Sequence, residues 1–417
     1  MRIFNLVLLL SLTGGLAAQW TPGEVYREYV WTTPADHHEA FLRVGGRYGY
    51  QAQPDKLPAH LQDGDYLLLP DSLDLSGALR AEVTLEKVMS HEDSRDLRVA
   101  VNDGDWISVP EPADIPVPQT EYMYHTALTV PVPLADLRTG RNNRFRLRLA
   151  PDQRWNWPQN VFYALIFRVY YAPDATPLTL TVPAGDIGPV EYLRIATSAF
   201  PAGDSVTAAD YVFVGRDVDW SGRGVNERTH WQTHRGRPHR TLGSSTEGPD
   251  FSVRWNTEWL PDQEAFGVQA RVRTADGRYH VSAVTEGLRL APRPYTIALY
   301  APEPAPRNWV TRSGEFTQTI TVPEPVEDAT AYRLHWTSWS PCYSNGLFLN
   351  DHLVWGRNDD CYVFATHARE YDGHALPYLQ KGENVIRTAL TPLMRGKMVH
   401  GMEVQWPGVQ LVVRRYR

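Results

Sequence analysis

A chain of 417 residues with 42% hydrophobic and 21% charged residues has globular composition and material for two or three domains rather than one. Its net charge of −7 leaves no broad basic field to recruit nucleic acid or anionic lipid, which excludes both as expected partners. The two cysteines, Cys342 and Cys361, pair most simply as one disulfide in an oxidising compartment, and no CxxC supports a metal or redox role.

Residues 1–18 carry Arg2, an apolar run from Phe4 to Leu12, and then Thr13-Gly14-Gly15-Leu16-Ala17-Ala18. That order of charged, apolar and small residues is a secretory signal, so the expectation is export, extracellular or periplasmic, with cleavage. The apolar run is too short to span a bilayer, and no later segment is apolar enough, so no membrane insertion is expected.

Beyond the signal, proline and glycine recur, apolar runs are short and alternating, and no long segment keeps helical period. The fold class expected is all-β, built from sandwiches. Phe41 to Val44 leading into Gly45-Gly46-Arg47-Tyr48-Gly49-Tyr50 reads as an edge strand. Leu79 to Glu86 and Leu97 to Val101 alternate as half-buried strands must, and Asn102-Asp103-Gly104-Asp105 turns between strands. Further strands fall at Thr126 to Val130, Asn143 to Leu149 and Val161 to Tyr171. The last is apolar on both faces, which calls for cover on both sides by a neighbouring domain.

The region after Arg312 repeats this order. Ala331 to Trp336 answers Leu79 to Leu85, and Gly346 to Trp355 answers Leu97 to Trp106. Leu379-Gln380-Lys381-Gly382-Glu383-Asn384 then answers Leu137-Arg138-Thr139-Gly140-Arg141-Asn142-Asn143, with the register of the first copy open by one residue. This succession of strand, Asn-containing hairpin and Leu-x-x-Gly-x-Asn turn resembles the galactose-binding-domain-like jelly roll of secreted carbohydrate-active proteins. Between the copies, alternating strands at Leu178 to Val182, Phe251 to Trp255, Phe266 to Val272 and Thr296 to Tyr300 resemble an immunoglobulin-like or fibronectin-like sandwich. The expected plan is a signal at 1–18, a jelly roll at 19–174, an Ig-like sandwich at 175–302 and a second jelly roll at 303–417. It resembles secreted bacterial multi-β-domain proteins that carry a Trp-x-Thr-x-x-x-Pro-Asp-Gln segment, here Trp255 to Gln263, and end in His-Gly-x-Glu-x-x-Trp-Pro-Gly, here His400 to Gly408. That resemblance implies architecture and no activity.

Candidate chemistry is sparse. Asp217, Asp219, Ser221 and Glu227 follow the alternate-oxygen spacing of a calcium loop, with Gly222 at the sharp turn, but Arg228 stands where the bidentate carboxylate belongs. Calcium binding and an ordinary Asp/Gly-rich loop both remain open, and no other cofactor is expected. No Gly-x-Ser-x-Gly elbow, phosphate loop or dinucleotide fingerprint occurs. Acid, base or nucleophile candidates in expected loops are Glu121, Tyr124 and His125 in the first jelly roll, and Asp372, His374, His400 and Glu403 in the last. Fourteen tryptophans and 21 tyrosines exceed ordinary core filling, and flat rings stack on sugar C–H faces. Trp106, Trp155, Trp157, Trp339, Tyr343 and Trp355 are the ligand-binding candidates, with the plugging of sandwich ends as their alternative role. The expected function is non-catalytic binding of a polysaccharide; the alternatives are a polysaccharide lyase or glycoside hydrolase with an inter-domain groove site, and a structural cell-surface assembly protein.

Overall fold

The computed structural model describes residues 20–32, 42–45, 49–52, 62–63, 66–69, 72–89, 96–110, 124–148, 160–175, 178, 180–182, 185–195, 205–218, 233–234, 237–238, 241–302, 314–357, 364–397, 403–404 and 408–417. Among them the elements are strands and short 3₁₀ turns, and the architecture is all-β.

The first unit comprises β1 (Val25–Thr32), β2 (Leu42–Gly45), β3 (Gly49–Ala52), β4 (Gln62–Asp63), β5 (Tyr66–Leu69), β6 (Arg80–Met89), β7 (Arg98–Val101), β8 (Ile107–Ser108), β9 (Tyr124–Val132), β10 (Asn143–Arg148) and β11 (Asn160–Tyr170). Strand alternation decides how they pack. Ala81, Val83 and Leu85 of β6 and Leu165, Phe167 and Val169 of β11 share one buried cluster with Val99 and Val101 of β7 and Phe145 and Leu147 of β10. A sheet ordered β1-β11-β6-β9 is thereby packed on a sheet ordered β4-β5-β10-β7-β8. The edge strand read at Phe41 to Tyr50 is the β2–β3 hairpin, paired to β11.

The second unit comprises β12 (Leu180–Thr181), β13 (Val190–Ile195), β14 (Val206–Val214), β15 (Thr233–His234), β16 (Arg237–Pro238), β17 (Thr241–Ser245), β18 (Val253–Asn256), β19 (Phe266–Thr274), β20 (Arg278–Val281) and β21 (Thr285–Leu288). Its core joins Tyr211, Phe213, Phe266 and Val268 to Leu193, Val253 and Trp255 of the facing sheet. The third unit comprises β22 (Tyr295–Tyr300), β23 (Glu315–Val322), β24 (Ala329–Trp339), β25 (Ser344–Leu349), β26 (His352–Trp355), β27 (Phe364–Asp372), β28 (Gly382–Leu390), β29 (Glu403–Val404) and β30 (Gln410–Tyr416). The alternation of Thr296 to Tyr300 suggested a strand of the middle sandwich, and its pairing is elsewhere. Thr296 to Tyr300 belongs to β22, which pairs along its length with β30 in the third unit rather than with the middle sandwich.

The duplication is present in the topology. The third unit's sheets run β22-β30-β24-β27 and β23-β28-β25-β26, repeating β1-β11-β6-β9 and β5-β10-β7-β8 strand for strand. One device closes both copies. Asn102 holds φ 51° and Asn350 φ 47° at matching turns, a left-handed conformation that asparagine tolerates. The amide of Asn102 donates to Asn143 Oδ1 at 2.9 Å, and that of Asn350 to Asn384 Oδ1 at 2.9 Å. The backbone N–H of Arg138 donates to the same Asn143 oxygen, as that of Gln380 does to Asn384. Asn143, not Asn142, is therefore the counterpart of Asn384, and the first copy carries one extra residue in the turn.

The units are joined firmly. The free edge of β1 is taken up by β20, with Tyr26 opposite Tyr279, so the first and second units share one sheet. Both faces of β11 are buried, Ala164 and Ile166 as well as Leu165 and Phe167, as its apolar pattern called for, and the second unit is joined at the edge of the same sheet. On this sheet Arg271 Nη1 lies 2.9 Å and Arg168 Nε 2.8 Å from Glu28 Oε2, while Arg271 Nε reaches Asp210 at 2.8 Å. Burial raises the Glu28 pKa, but the Arg271 and Arg168 guanidiniums outweigh it and hold the carboxyl below its usual range. At the second joint Trp259 lies under Arg333 at 4.1 Å and Arg414 at 5.0 Å, and the N–H of Asp262 donates to Ile297 O. The Trp-Leu-Pro-Asp-Gln run of the sequence is thus a joint.

Candidate ligand-binding face

The outer face of β10 and β7 is built by strand alternation alone. Because Phe145 and Leu147 point into the core, Arg144, Arg146 and Arg148 share the outward face, the first and last exposed. Arg148 stands directly opposite Arg98 of β7, and Arg98 opposite Ser108 of β8. Like charges in register repel, so this arrangement is not one that sheet stability selects. Asp96 partly relieves it with two hydrogen bonds from Arg98, at 3.1 and 2.8 Å, but both side chains are over a third exposed and the pair is weak. Trp106, half-buried at the start of β8, receives the guanidinium carbons of Arg148 at 4.0 Å and Arg146 at 5.0 Å from its ring centroid. A guanidinium laid on an indole is held in place with its in-plane N–H edge still able to meet an anion. Among the described residues Arg148 makes no ion pair.

The third unit supplies an internal control. Matching Phe145–Val101 and Leu147–Val99 to Ile386–Leu349 and Thr388–Leu347 places Val385, Arg387 and Ala389 at the positions of Arg144, Arg146 and Arg148, and Gly346 at that of Arg98. The single arginine there is neutralised by Glu315 at 3.1 Å and Asp351 at 3.3 Å and lies over Phe348 at 4.3 Å. The same fold is thus built without the arginine cluster.

Other sequence candidates are scattered. Trp355 and Tyr343 are each 7% exposed. Trp355 packs edge-on to Trp336 at 5.6 Å inside the third core, and Tyr343 is buried in the 3₁₀ turn Pro341–Tyr343, so neither ring presents an open sugar platform. Trp339 lies on β24 opposite Phe364 and Glu403, which places Glu403 on β29. Tyr124 and His125 lie on β9, opposite Met89 and Val88. Asp372 and His374 are exposed on the third unit, so the described acid–base candidates are divided between the first and third units. Asp217 caps its own neighbour, Val218 N–H, at 2.7 Å. Glu121, Trp155, Trp157, Asp219, Ser221, Glu227, Cys361 and His400 lie outside the described residues; Cys342 is disulfide-bonded. Among the described residues no group of three or more His, Cys, Asp or Glu could hold a metal, and no helix is long and apolar enough to cross a membrane.

No family model and no curated protein matches the chain. Solved structures similar to parts of it include a β-porphyranase of glycoside hydrolase family 86 from Bacteroides plebeius, at 11% identity over 66% of this chain and 42% of that one, TM-score 0.22. An α-L-rhamnosidase from Aspergillus terreus matches at 15% identity over 56% of this chain and 27% of that one, TM-score 0.17. The FN1–FN3 domains of chicken CNTN1 match at 12% identity over 82% of this chain and 100% of that one, TM-score 0.18. The chain spans less than half the length of the two hydrolases. At such TM-scores the likenesses carry no weight for fold or activity.

A second cluster meets part of what a polysaccharide lyase needs, a tyrosine among arginines, at the joint of the first two units. Tyr26 and Tyr170 are 1% and 5% exposed, and burial pushes both phenols up. A buried tyrosine held protonated is no general base at neutral pH. This cluster reads as a scaffold. The arginines of this candidate face escaped the sequence reading, although Asn143-Arg144-Phe145-Arg146-Leu147-Arg148 holds three of them at a spacing of two.

Proposed function

We propose that the chain binds an acidic polysaccharide, one bearing uronate carboxylates or sulfates, on the outer face of β10, β7 and β8. The observation that carries this reading is the set Arg98, Arg144, Arg146 and Arg148 on one strand face, Arg146 and Arg148 laid over Trp106, where the duplicate unit has a single arginine at the matching positions. Arginine forks match carboxylate and sulfate oxygens in pairs, and the indole edge offers an apolar surface to the sugar ring. In the same reading the first and third units are galactose-binding-domain-like jelly rolls and the second is an Ig-like sandwich, supported by the repeated strand order.

Affinity electrophoresis of the full chain through gels containing polygalacturonate, dextran sulfate or uncharged dextran tests the proposal. Retardation is expected in the acidic polymers only, weakening with salt, and Arg98→Glu/Arg148→Glu should weaken it about tenfold or more. Equal retardation of parent and variant would overturn the assignment to this face. Release of product from any polymer would replace binding by cleavage. A rigid assembly element is a second reading, favoured by the two charged joints; absence of retardation by every polymer would leave it in possession.

A further inference from the structure

Asp96, two residues before the start of β7, closes on the arginine face with both carboxylate oxygens. Arg98 Nε donates to Asp96 Oδ1 at 3.1 Å and Nη2 to Oδ2 at 2.8 Å. This pair of bonds fills the Nε–Nη2 edge, one of those on which a guanidinium takes a carboxylate or sulfate. We propose that Asp96 is a specificity-determining residue of this face: it occupies Arg98 as an internal stand-in for a ligand anion, so that the polymer seats first on Arg148 and small free anions find no two-arginine clamp. The inference rests on the reading of the face as an acidic-polysaccharide site.

Arg98 and Arg148 stand directly opposite on adjacent antiparallel strands. Such pairs have Cβ atoms about 4.5–5.5 Å apart. Two open forks that close would grip one sulfate or phosphate from any source. With Arg98 held by Asp96, Arg148 offers its fork instead: it lies on Trp106 at 4.0 Å and, among the described residues, makes no ion pair. The hold on Arg98 is weak, because the two side chains are 37% and 40% exposed. A polymer that lays several anions along the face competes for Arg98 where a single ion does not.

The fold does not require this arrangement. Asp96 is left-handed at φ 57°. By the count that sets Gly346 against Arg98, Ser344 holds its place in the third unit, where the backbone is extended at φ −82°. The left-handed carboxylate belongs to the copy that carries the arginines.

Affinity electrophoresis of the full chain in polygalacturonate and in dextran sulfate tests this with Asp96→Asn, which removes the charge and keeps a side chain that tolerates left-handed backbone. The same substitution is made beside Arg98→Lys, which keeps the charge of Arg98 but not its fork. Asp96→Asn should bind about threefold tighter than the parent. In the Arg98→Lys background it should gain little, whereas a change of net charge alone would act equally in both. Sodium sulfate should release Asp96→Asn more readily than sodium chloride of equal ionic strength, and the two salts should act alike on the parent. Urea unfolding should give parent and Asp96→Asn the same midpoint. A lower midpoint with unchanged binding would make Asp96 a stabiliser of the sheet and overturn the proposal. So would equal gains in both backgrounds, or preferential release of the parent by sulfate. Absence of retardation of the parent in both polymers would instead overturn the reading of the face, and this inference with it.

Discussion

Glu28 gives the sharpest test of what holds the first two units together. It receives Arg168 and Arg271 on one oxygen, and those side chains are 10% and 4% exposed. Glu28→Gln keeps the shape but removes the charge that both guanidiniums face. Breaking a buried pair by removing one partner costs about 3–5 kcal/mol. Arg271 retains Asp210 at 2.8 Å, and Arg168 retains Glu82 at 3.7 Å, which places the loss near the lower end, about 3 kcal/mol. Urea unfolding of the full chain, followed by tryptophan fluorescence and circular dichroism, measures it in the transition that includes these units. Because the folded Glu28 pKa is depressed, its contribution is fully present above the ordinary value of 4.5 and is lost as pH falls through the lower folded value. Parent and variant should therefore differ by about 3 kcal/mol near neutral pH and converge in acid. A difference below about 0.5 kcal/mol at neutral pH, or one that persists undiminished in acid, refutes the reasoning.

Three further outcomes are expected. His367 stacks on Trp336 at 4.6 Å and shares a 2.9 Å hydrogen bond with Ser338; burial, aided by Arg369, pushes its pKa down to about 4 from 6.5. The unfolded chain takes the proton first, so the third unit should lose up to about 3 kcal/mol as pH falls from about 6.5 to about 4, and His367→Gln should flatten that slope in pH-dependent unfolding. Asn143→Ala and Asn384→Ala each remove a fully buried amide with several hydrogen bonds and should each cost about 2–4 kcal/mol by urea unfolding; a large loss in one copy only would contradict the shared turn. Reduction of the disulfide at Cys342 should lower third-unit stability by roughly 3 kcal/mol, and non-reducing peptide mapping should recover Cys342 joined to Cys361.

The local rules were legible because they act over two or three residues. Alternation in Ala81-Glu82-Val83-Thr84-Leu85 gives a strand with one apolar face, and that face is the core. The repeated Leu-x-x-Gly-x-Asn turn exposed the duplication, although only the hydrogen bonds of Asn143 fixed which asparagine counts. Tryptophan roles were not legible in the same way. Trp106 and Trp355 both end a hairpin segment in sequence, yet the partner strand leaves the first half-exposed under arginines and drives the second into the core. Nor could spacing alone assign Thr296 to Tyr300, whose partner lies over a hundred residues away.

The sequence by itself determined that this is an all-β chain with two copies of one module, since turn chemistry and period-two alternation are properties of neighbouring residues. Tertiary structure alone decided what the charges do. Pairing β10 with β7 set Arg148 against Arg98 in the open. Pairing β1 with β20 brought two units' strands into the sheet where Arg168 and Arg271 close on Glu28 out of water. The same residue type is an exposed field in one place and a buried bond in the other, because burial and the nearest carboxylate are fixed by strand register across the fold.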